Sequence, residues 1–556
     1  MVDFDERYRH AIRAHQAGRT EEAARIYASI LAQDPDHAGA LHLTGVLALQ
    51  AGAYAKAADF IERSLRIEPS HAMALSNLGV AYRALKRHDD AITVLRRSVA
   101  LNPKSADAWG NLGQTLSRSG QMREAVASIR RALQIDAGRL GLQSTLLFAE
   151  NYLAESDPFV MADNARRVGQ LIADKVPAIR HHHNDADPHR RLRIGLVSAD
   201  LRAHPVGRFL SDVLPNLDGT QVEIFVYSNH EDEDDVTARL RGAVDHWTNV
   251  TSHSDTDLVD LIVSDSIDIL IDMSGHAGGN RLLVFARKPA PVSFTWIGYF
   301  ATTGLTAIDY VLANRWVIPE SEENQWSETP WRLPDTYLCY ARPRDTLPVP
   351  PLPALANGHI TFGCFNNFNK LSDETLATWS MLLAAVPKSR LVLRSSGTYD
   401  TEVVVSLRRS LESAKIDLSR IRIDARVSDY AEHLRSYSEI DIALDPFPYN
   451  GGTTTVEALY MGVPVLARAG DRYVSHMGES ILHNAGLGDW IAADEVAYAT
   501  LGAAKTADLT ALQALRAGLR DRMLASPLFD APRFARTLER AMREMWHVWC
   551  ASQRHG

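Results

Sequence analysis

One segment of the chain carries the residues best suited to holding a phosphate. In IDIALDPFPYNGGTTTVEALYMGVPVLA an apolar run ends in a turn that closes with Gly452 and continues into Thr453 and Thr454. Glu457 follows one turn into a predicted helix. Backbone N–H groups and the helix dipole favour an anion at such an N-terminus, and threonine hydroxyls add donors. The segment predicts a diphosphate site in which Glu457 accepts from ribose hydroxyls; a plain threonine N-cap is the alternative.

Two further side chains could contact a nucleotide. Lys370, in FNNFNKLSDETL, follows another apolar run. A lysine there can neutralise the charge that builds on a leaving diphosphate, as metal ions do elsewhere. A solvated surface lysine is the alternative. His433, in VSDYAEHLRSYSEI, could stack on a base or simply cover one face of a helix.

Two histidines are candidates for proton chemistry. His204 lies in SADLRAHPVGRFL and His276 in the glycine-rich DMSGHAGGNR, each just after a predicted strand. A histidine both accepts and donates near neutral pH, so either could handle the proton of an acceptor hydroxyl. An incidental loop histidine is the alternative for each of them.

These residues all follow short β-branched runs that alternate with helical segments. The runs LRIGLVSA, VEIFVYSN, IDILIDMSG, PVSFTWIGY and DYVLAN fall within residues 191–345, and ITFGCFNN, RLVLRSS, RIRIDAR, IDIALDP and PVLARA within 356–540. Nearly continuous apolar strands separated by helices predict parallel sheets covered on both faces, with ligands beyond the carboxyl ends. We therefore expect two Rossmann-like lobes with a ligand cleft between them, followed by a C-terminal helix over 530–556.

Residues 1–137 show a different pattern, a period of 34 residues. The repeated positions are Pro35, Pro69 and Pro103, Gly45, Gly79 and Gly113, and Ala23, Ala57, Ala91 and Ala125. Each unit is typical of two helices that meet at small residues, and such units stack into a superhelix whose concave side binds a peptide or protein segment. About four repeats are expected. They recruit protein clients or, alternatively, form a structural or dimerising extension.

Residues 138–190 are expected to form a helical cap and a linker between the repeats and the first lobe. The end of this stretch, HHHNDADPHRR, is polar and lacks periodicity, which is typical of a linker. Its three consecutive histidines could bind a metal, but a solvated loop is the favoured interpretation.

Composition excludes several classes of protein. The formal charge of −9 is spread over interleaved acids and bases, so we expect no nucleic-acid partner. The chain starts without a basic and apolar leader and lacks a long apolar run, so we expect neither secretion nor a membrane partner. Its three widely spaced cysteines suit a reducing compartment and cannot form a thiolate metal cluster, so we expect a cytoplasmic location.

The repeat units resemble the tetratricopeptide repeat, and the order repeat arm, HPVG, FNNFNK, NGGTTTVEAL resembles the O-GlcNAc transferase family. That family includes Spindly-type protein fucosyltransferases. The resemblance covers nearly the whole chain. It implies an α + α/β protein in which a tetratricopeptide superhelix precedes two Rossmann-like lobes in the GT-B arrangement of glycosyltransferases.

The resemblance also assigns roles to residues. The family's active-site histidine matches His204, and the lysine that holds the donor diphosphate matches Lys370. An acidic residue proposed to assist catalysis matches Asp260. The remaining matches are Thr453, Thr454 and Glu457 at the pyrophosphate and ribose, Ser428 and His433 at the uracil, and Asn367 in place of a glutamine near the diphosphate.

The family resemblance implies an inverting, metal-independent transfer of N-acetylglucosamine from UDP-GlcNAc to Ser or Thr of proteins, without a cofactor. Two departures bear on the donor: Gly452 stands where the animal enzymes have histidine, and Tyr430 where a lysine lies near the uracil. UDP-glucose and GDP-fucose therefore stay open as donors. A nucleotide-binding repeat scaffold with little turnover is the alternative from another class. The DxD strings at 185–187 and 255–257, in a linker and a loop, are expected to be accidental.

Overall fold

The computed structural model describes residues 4–343, 347–395, 401–424 and 429–554. The chain divides into two compact units, one formed mainly by the residues up to Ala149 and the other mainly by those from Glu150 onwards. Among the described residues, no helix combines the length and the apolar character needed to cross a bilayer.

The repeat arm consists of four helix pairs. The helices are α1 (Phe4–Gln16), α2 (Thr20–Leu31), α3 (Ala38–Gln50), α4 (Tyr54–Ile67), α5 (Ala72–Ala84), α6 (His88–Leu101), α7 (Ala106–Arg118) and α8 (Met122–Ile135). A Cβ added at Gly79 would lie 2.4 Å from Leu95 Cγ, and Gly45 and Gly113 meet their partner helices equally closely. The repeated glycine thus lets the two helices of a pair touch, and the predicted helical repeats are confirmed.

Two helices follow the repeats, α9 (Leu140–Glu150) and α10 (Pro158–Ala173). Helix α10 belongs to the second unit and packs on the first lobe, since a Cβ at Gly169 would lie 2.0 Å from the carbonyl oxygen of Gly304. The sequence treated this stretch as a cap of the repeats, whereas α10 is built into the first lobe.

The first lobe holds a parallel sheet of seven strands. Its elements are β1 (Leu192–Ser198), α11 (Pro205–Leu210), β2 (Val222–Ser228), α12 (Asp235–Arg241), β3 (His246–Asn249), α13 (Asp255–Ser264), β4 (Ile269–Asp272), α14 (Leu282–Ala286), β5 (Val292–Thr295), β6 (Tyr310–Asn314) and β7 (Thr329–Leu333). The strand order is β3-β2-β1-β4-β5-β6-β7. The sequence pattern predicted the five inner strands but neither of the two edge strands, β3 and β7.

The second lobe holds a six-stranded parallel sheet in the order β10-β9-β8-β11-β12-β13. Its elements are α15 (Pro353–Asn357), β8 (Thr361–Cys364), α16 (Asp373–Ala385), β9 (Arg390–Arg394), α17 (Thr401–Ser413), β10 (Ile421–Asp424), α18 (Tyr430–Ser436), β11 (Ile442–Leu444), α19 (Thr453–Tyr460), β12 (Val465–Arg468), α20 (Tyr473–Asn484), β13 (Ile491–Ala492), α21 (Glu495–Thr506) and α22 (Leu509–Leu524). Here the two-residue edge strand β13 was missed. The predicted fold class, repeats followed by two Rossmann-like lobes, is confirmed.

The final helix, α23 (Ala531–Gln553), returns to the first lobe, where Phe534 stacks on Trp296 at a centroid distance of 6.0 Å. The segment expected to be a solvated linker is anchored between this helix and the first sheet. Asp187 accepts from the Trp546 indole N–H at 3.0 Å, and Arg190 pairs with Asp268, which is fully buried. Residues 181–191 therefore form an irregular segment without helix or strand, as expected of a linker, and these contacts hold it against α23 and the first sheet.

Candidate functional site

Helix α19 presents an open N-terminus at the carboxyl end of β11. Its N-cap is Gly452, and within the described structure no side chain caps it. The hydroxyls of Thr453 and Thr455 are buried without a hydrogen-bond partner among the described residues, while Thr454 donates to Asn366 Oδ1 at 2.9 Å. The first amides of a helix have no intrahelical acceptor, so this end offers donors to an anion. The alternative of a threonine N-cap does not occur, because the cap is a glycine.

Lys370 reaches the same turn from the neighbouring strand. It ends the short 3-10 helix Phe368–Lys370, which follows β8, and β8 pairs with β11. The Lys370 ammonium donates to the carbonyl oxygen of Asn450 at 2.6 Å and lies 4.2 Å from the centre of the Tyr449 ring. Burial lowers the pKa of Lys370, and the negative charge of Asp445 opposes that shift. A cation and an open helix N-terminus therefore flank one turn.

Asn367 begins the 3-10 helix that carries Lys370. Its side-chain oxygen accepts from the N–H of Asn369 at 2.9 Å, so this atom caps the turn. The residue is half-buried. The contact shows Asn367 in a local role that helps to set the position of Lys370; its expected contact with the diphosphate stays a prediction.

Glu457 lies at the centre of a polar network on the inner face of α19. It is 3% exposed and accepts from the Tyr340 hydroxyl at 2.7 Å, and its other oxygen lies 3.1 Å from His433 Nε2. Burial raises the pKa of Glu457, but the bonds to His433 and Tyr340 and the charges of His433 and Arg208 outweigh it, so the pKa lies below its usual value. Glu457 is thus an ionised acceptor.

The network also joins the two lobes. Arg208, on α11 of the first lobe, lies 3.9 Å above the ring of Tyr430 on α18 of the second. The Tyr430 hydroxyl lies 3.1 Å from that of Tyr340, which bonds to Glu457. The position where the sequence departs from the resembled family, Tyr430, is thus in direct contact with the opposite lobe.

His204 is the N-cap of α11, one helical turn before Arg208, and therefore lies on the side of α11 that faces the second lobe. Its Nδ1 accepts from the Val206 N–H at 3.4 Å and lies 3.8 Å from Asp200 Oδ1. Burial lowers the pKa of His204 more than the charge of Asp200 raises it. The ring is neutral near pH 7, with Nε2 as the free donor in this geometry.

His276 lies deeper than the sequence suggested. It is 2% exposed, and its Nε2 is 2.9 Å from the carbonyl oxygen of Thr303. Burial lowers its pKa to about 4. Its ring packs edge-on against Tyr299, next to Phe300, whose ring lies 6.2 Å from that of Tyr449 beside Lys370. This placement suits a residue that supports the segment between β5 and β6 more than one that exchanges a proton with substrate.

The structure does not bring Asp260 to the turn. It is exposed and lies in the middle of α13, a helix that runs back from the carboxyl end of β3 toward the amino end of β4. The nearby DxD string at 255–257 lies in the first turn of α13 rather than in a loop: Asp255 pairs with Arg281, and Asp257 forms a capping box with Ser254. Ser428 lies outside the described residues. Among those described, no three His, Cys, Asp or Glu side chains are grouped to hold a metal.

Three residues of this region escaped the sequence analysis: Tyr340, Arg208 and Asp445. Tyr340 lies in an irregular segment, and Arg208 is inside a helix, so neither position carries a signal in the pattern. Asp445 directly follows β11, and the rule that directs attention to the residues after each strand could have found it.

Comparison with known proteins identifies relatives of this chain. The chain is 35% identical over 424 residues to the probable UDP-N-acetylglucosamine–peptide N-acetylglucosaminyltransferase SPINDLY of Arabidopsis thaliana, covering 76% of this chain and 46% of the relative. The corresponding protein of Hordeum vulgare is 35% identical over 421 residues, with 75% and 45% covered. The chain thus spans about half the length of the curated relatives it matches.

Among solved structures, a lysine-to-methionine mutant of the O-GlcNAc transferase from Thermobaculum terrenum is similar with a TM-score of 0.84 and 35% identity, covering 93% of this chain and 98% of that one. Tetratricopeptide repeat models match residues 8–72 and 70–138. The model of glycosyl transferase family 41 matches residues 160–342 and 352–538, which include every element of the site described above. The chain belongs to glycosyl transferase family 41.

Proposed function

We propose that this protein transfers N-acetylglucosamine from UDP-GlcNAc to serine or threonine hydroxyls of protein clients. The observation that carries the proposal is the convergence of Lys370 and the open N-terminus of α19 on the turn that ends at Gly452. Family membership and the names of the relatives support the donor and the acceptor class. The transfer is a single displacement that inverts the anomeric carbon and needs no metal, since Lys370 supplies the positive charge.

In this reaction the acceptor oxygen forms a bond to the anomeric carbon while the bond to the β-phosphate oxygen breaks. UDP leaves with the electron pair, and the hydroxyl proton passes to a base. Lys370 and the amides of Thr453 and Thr454 stabilise the negative charge that develops on the diphosphate. Ionised Glu457 accepts from the ribose hydroxyls, and His433 keeps it ionised.

His204 has a role that follows from its hydrogen bond. Because Nδ1 accepts from the backbone N–H of Val206, the neutral ring carries its hydrogen on Nε2. In this geometry His204 donates to an oxygen of the acceptor or the sugar and positions it. Removal of the acceptor proton by His204 requires the ring to leave the helix cap.

The repeat arm provides the surface for clients. Its polar side chains bond to one another across successive repeats: Asn77 to His42 at 3.0 Å and Asn111 to Ser76 at 3.2 Å. His42 and Ser76 are buried, so these bonds hold the half-buried Asn77 and Asn111 in fixed orientations, which suits the binding of an extended peptide. A chain that begins near residue 150, where the second compact unit starts and α10 is kept, tests whether the arm selects clients. Loss of transfer to proteins with UDP binding retained is the expected outcome.

The donor is tested by titration calorimetry with UDP, GDP and UDP-GlcNAc, with a chelator present. We expect UDP and UDP-GlcNAc to bind without metal, and Lys370→Ala to weaken UDP at least about tenfold and to lower turnover about 100-fold or more. Lys388→Ala, at an exposed lysine of the same lobe, is the matched control. Normal turnover in Lys370→Ala refutes the assignment.

GDP-fucose is the second candidate donor, and position 452 favours testing it. A Cβ added at Gly452 would meet only Met477 Cε, at 3.6 Å, among the described residues, so the packing does not require glycine there. The missing side chain leaves room beside the diphosphate turn. Preference for GDP over UDP in the same titration supports GDP-fucose as the donor. Nucleotide binding without consumption of donor in the presence of protein clients supports the repeat scaffold.

A further inference from the structure

A single peptide group separates Lys370 from a buried carboxylate. The carbonyl oxygen of Asn450 accepts from the Lys370 ammonium at 2.6 Å, and the N–H of Gly451, which belongs to the same peptide group, donates to Asp445 Oδ1 at 2.6 Å. In a trans peptide the carbonyl and the N–H point in opposite directions, so the two charges lie on opposite sides of it. The peptide thus bridges an ammonium and a carboxylate, and each charge polarises it toward the other.

The surroundings keep Asp445 in place. A Cβ added at Gly478 would lie 2.3 Å from Asp445 Oδ2, and one at Gly451 would lie 2.9 Å from Oδ1, so two glycines make room for the carboxylate. Asp445 is 4% exposed, and its Oδ2 has no hydrogen-bond partner among the described residues. A buried carboxylate with a single donor costs stability. The presence of such a carboxylate beside a predicted anion site therefore indicates that Asp445 has a functional role.

The charged and titratable groups that face Lys370 come from three segments. They are Cys364 at the end of β8, Asp445 after β11, and Tyr449 in the turn below the ammonium. Burial raises the pKa of Cys364 and places that of Tyr449 well above its ordinary value, so both are neutral near pH 7. Burial raises the pKa of Asp445 to about 7, while the Gly451 N–H and the charge of Lys370 oppose that shift. Of these groups, only Asp445 therefore offers Lys370 a negative charge, and it does so above about pH 7.

We propose that Asp445 is a positioning residue that, through the Asn450–Gly451 peptide, holds Lys370 charged and directed at the point where the donor diphosphate binds. This inference rests on the proposed function, because it assumes that Lys370 contacts the diphosphate. Asp445 fixes the plane of the peptide with one oxygen, and its charge opposes the loss of the lysine proton that burial favours. It acts on the leaving group only through Lys370.

Two variants separate these two effects. Asp445→Asn keeps an oxygen that can accept from the Gly451 N–H and removes the charge, whereas Asp445→Ala removes both. Asp441→Asn is the matched control, since Asp441 precedes the same strand, is fully buried and likewise accepts backbone N–H groups, from Ala354 and Thr361. It lies at the amino end of β11, away from Lys370.

The first measurement is the affinity for UDP between pH 6 and 10. Without the negative charge, Lys370 loses its proton at a lower pH, so the affinity of Asp445→Asn declines earlier as the pH rises. We expect it to be on the order of tenfold weaker than that of the wild type at pH 9 and nearly equal at pH 6. Asp445→Ala should be weaker at every pH, and Asp441→Asn should follow the wild type. Identical pH profiles for the wild type and Asp445→Asn overturn the proposal.

The second measurement needs no nucleotide. Competitive acetylation of lysines across the same pH range, read by mass spectrometry, reports the titration of Lys370 itself. We expect its midpoint to be about one unit lower in Asp445→Asn and unchanged in Asp441→Asn. An unchanged midpoint refutes the role of Asp445. If the midpoint moves but Lys370→Ala binds UDP normally, the coupling stands, whereas the positioning role and the proposed function both fail.

Discussion

The contact between the two lobes includes a histidine whose charge can be tested through stability. His476, on α20 of the second lobe, has Nδ1 2.7 Å from Glu479 Oε2 and Nε2 3.1 Å from Glu322 Oε1, which belongs to the first lobe. The residue is 5% exposed. Burial lowers its pKa, but the two carboxylates outweigh burial and raise the pKa from 6.5 to about 9. With a carboxylate at each nitrogen, the ring is an imidazolium that ties the lobes together.

The size of the effect follows from the shift. A pKa raised from 6.5 to about 9 stabilises the folded state by about 3 kcal/mol when the group is fully protonated. Because the folded pKa lies above the unfolded one, this contribution is complete below pH 6.5 and is lost as the pH rises through about 9. The wild type should therefore lose stability between pH 7 and 9.5, and His476→Gln should already lack this part at pH 7.

The assay is thermal unfolding followed by tryptophan fluorescence at pH 6.5, 8 and 9.5. Only Trp109 of the ten tryptophans lies in the repeat arm, so the signal reports the two-lobed unit. His246→Gln is the control, because His246 forms an exposed pair with Glu223 that contributes little. The wild type and the control should lose several degrees more than His476→Gln over this range. An equal loss in all three proteins would show that His476 is not charged in the folded state.

Two more predictions concern packing and the polar network. Gly169→Ala places a Cβ 2.0 Å from the Gly304 carbonyl oxygen and should lower the free energy of unfolding by about 1–3 kcal/mol in urea titrations, whereas Gly141→Ala, in a helix with open space around it in the described structure, should be neutral or stabilising. Glu457→Gln should bind UDP about tenfold more weakly at pH 7. His433 and its other partners hold the pKa of Glu457 below 4.5, so its contribution to stability is lost as the pH falls below that value. In thermal melts Glu457→Gln should therefore lose less stability in acid than the wild type, and equal acid sensitivity contradicts the network.

The fold could be predicted largely from the sequence because its signals are local. The 34-residue period specifies the helix pairs of the arm, and the inner strands of both sheets are buried on both faces, so they appear as continuous apolar runs. The three missed strands, β3, β7 and β13, all lie at sheet edges. Strand β3 has the sequence HWTN and no buried residue, so it lacks an apolar run, and β13 has only two residues.

The candidate site could be predicted only for residues that lie close together in one segment of the sequence. The turn from Gly452 to Glu457 and the position of Lys370 follow from the rule that ligands bind after the strands. The contacts that join distant segments could not be predicted: Tyr340 and Glu457 are 117 residues apart, and a sequence pattern contains no information on such pairs. The sequence also does not show which loop residues are buried. For this reason His276 and His204 were equal candidates for proton chemistry.

Asp445 shows most clearly why the position of a residue after a strand was not sufficient to predict its place in the site. It directly follows a strand, as the phosphate-binding turns do, yet a carboxylate beside a diphosphate is repulsive, so a search for donors passes over it. Only the orientation of the Asn450–Gly451 peptide explains how the site tolerates it: the N–H of that peptide faces the carboxylate, and its carbonyl oxygen faces Lys370. In the proposed role, the negative charge therefore acts on Lys370 across that peptide, where it favours the charged form of the lysine. On this argument, a half-buried lysine such as Lys370 keeps its charge more readily when an acid lies across the peptide that it contacts.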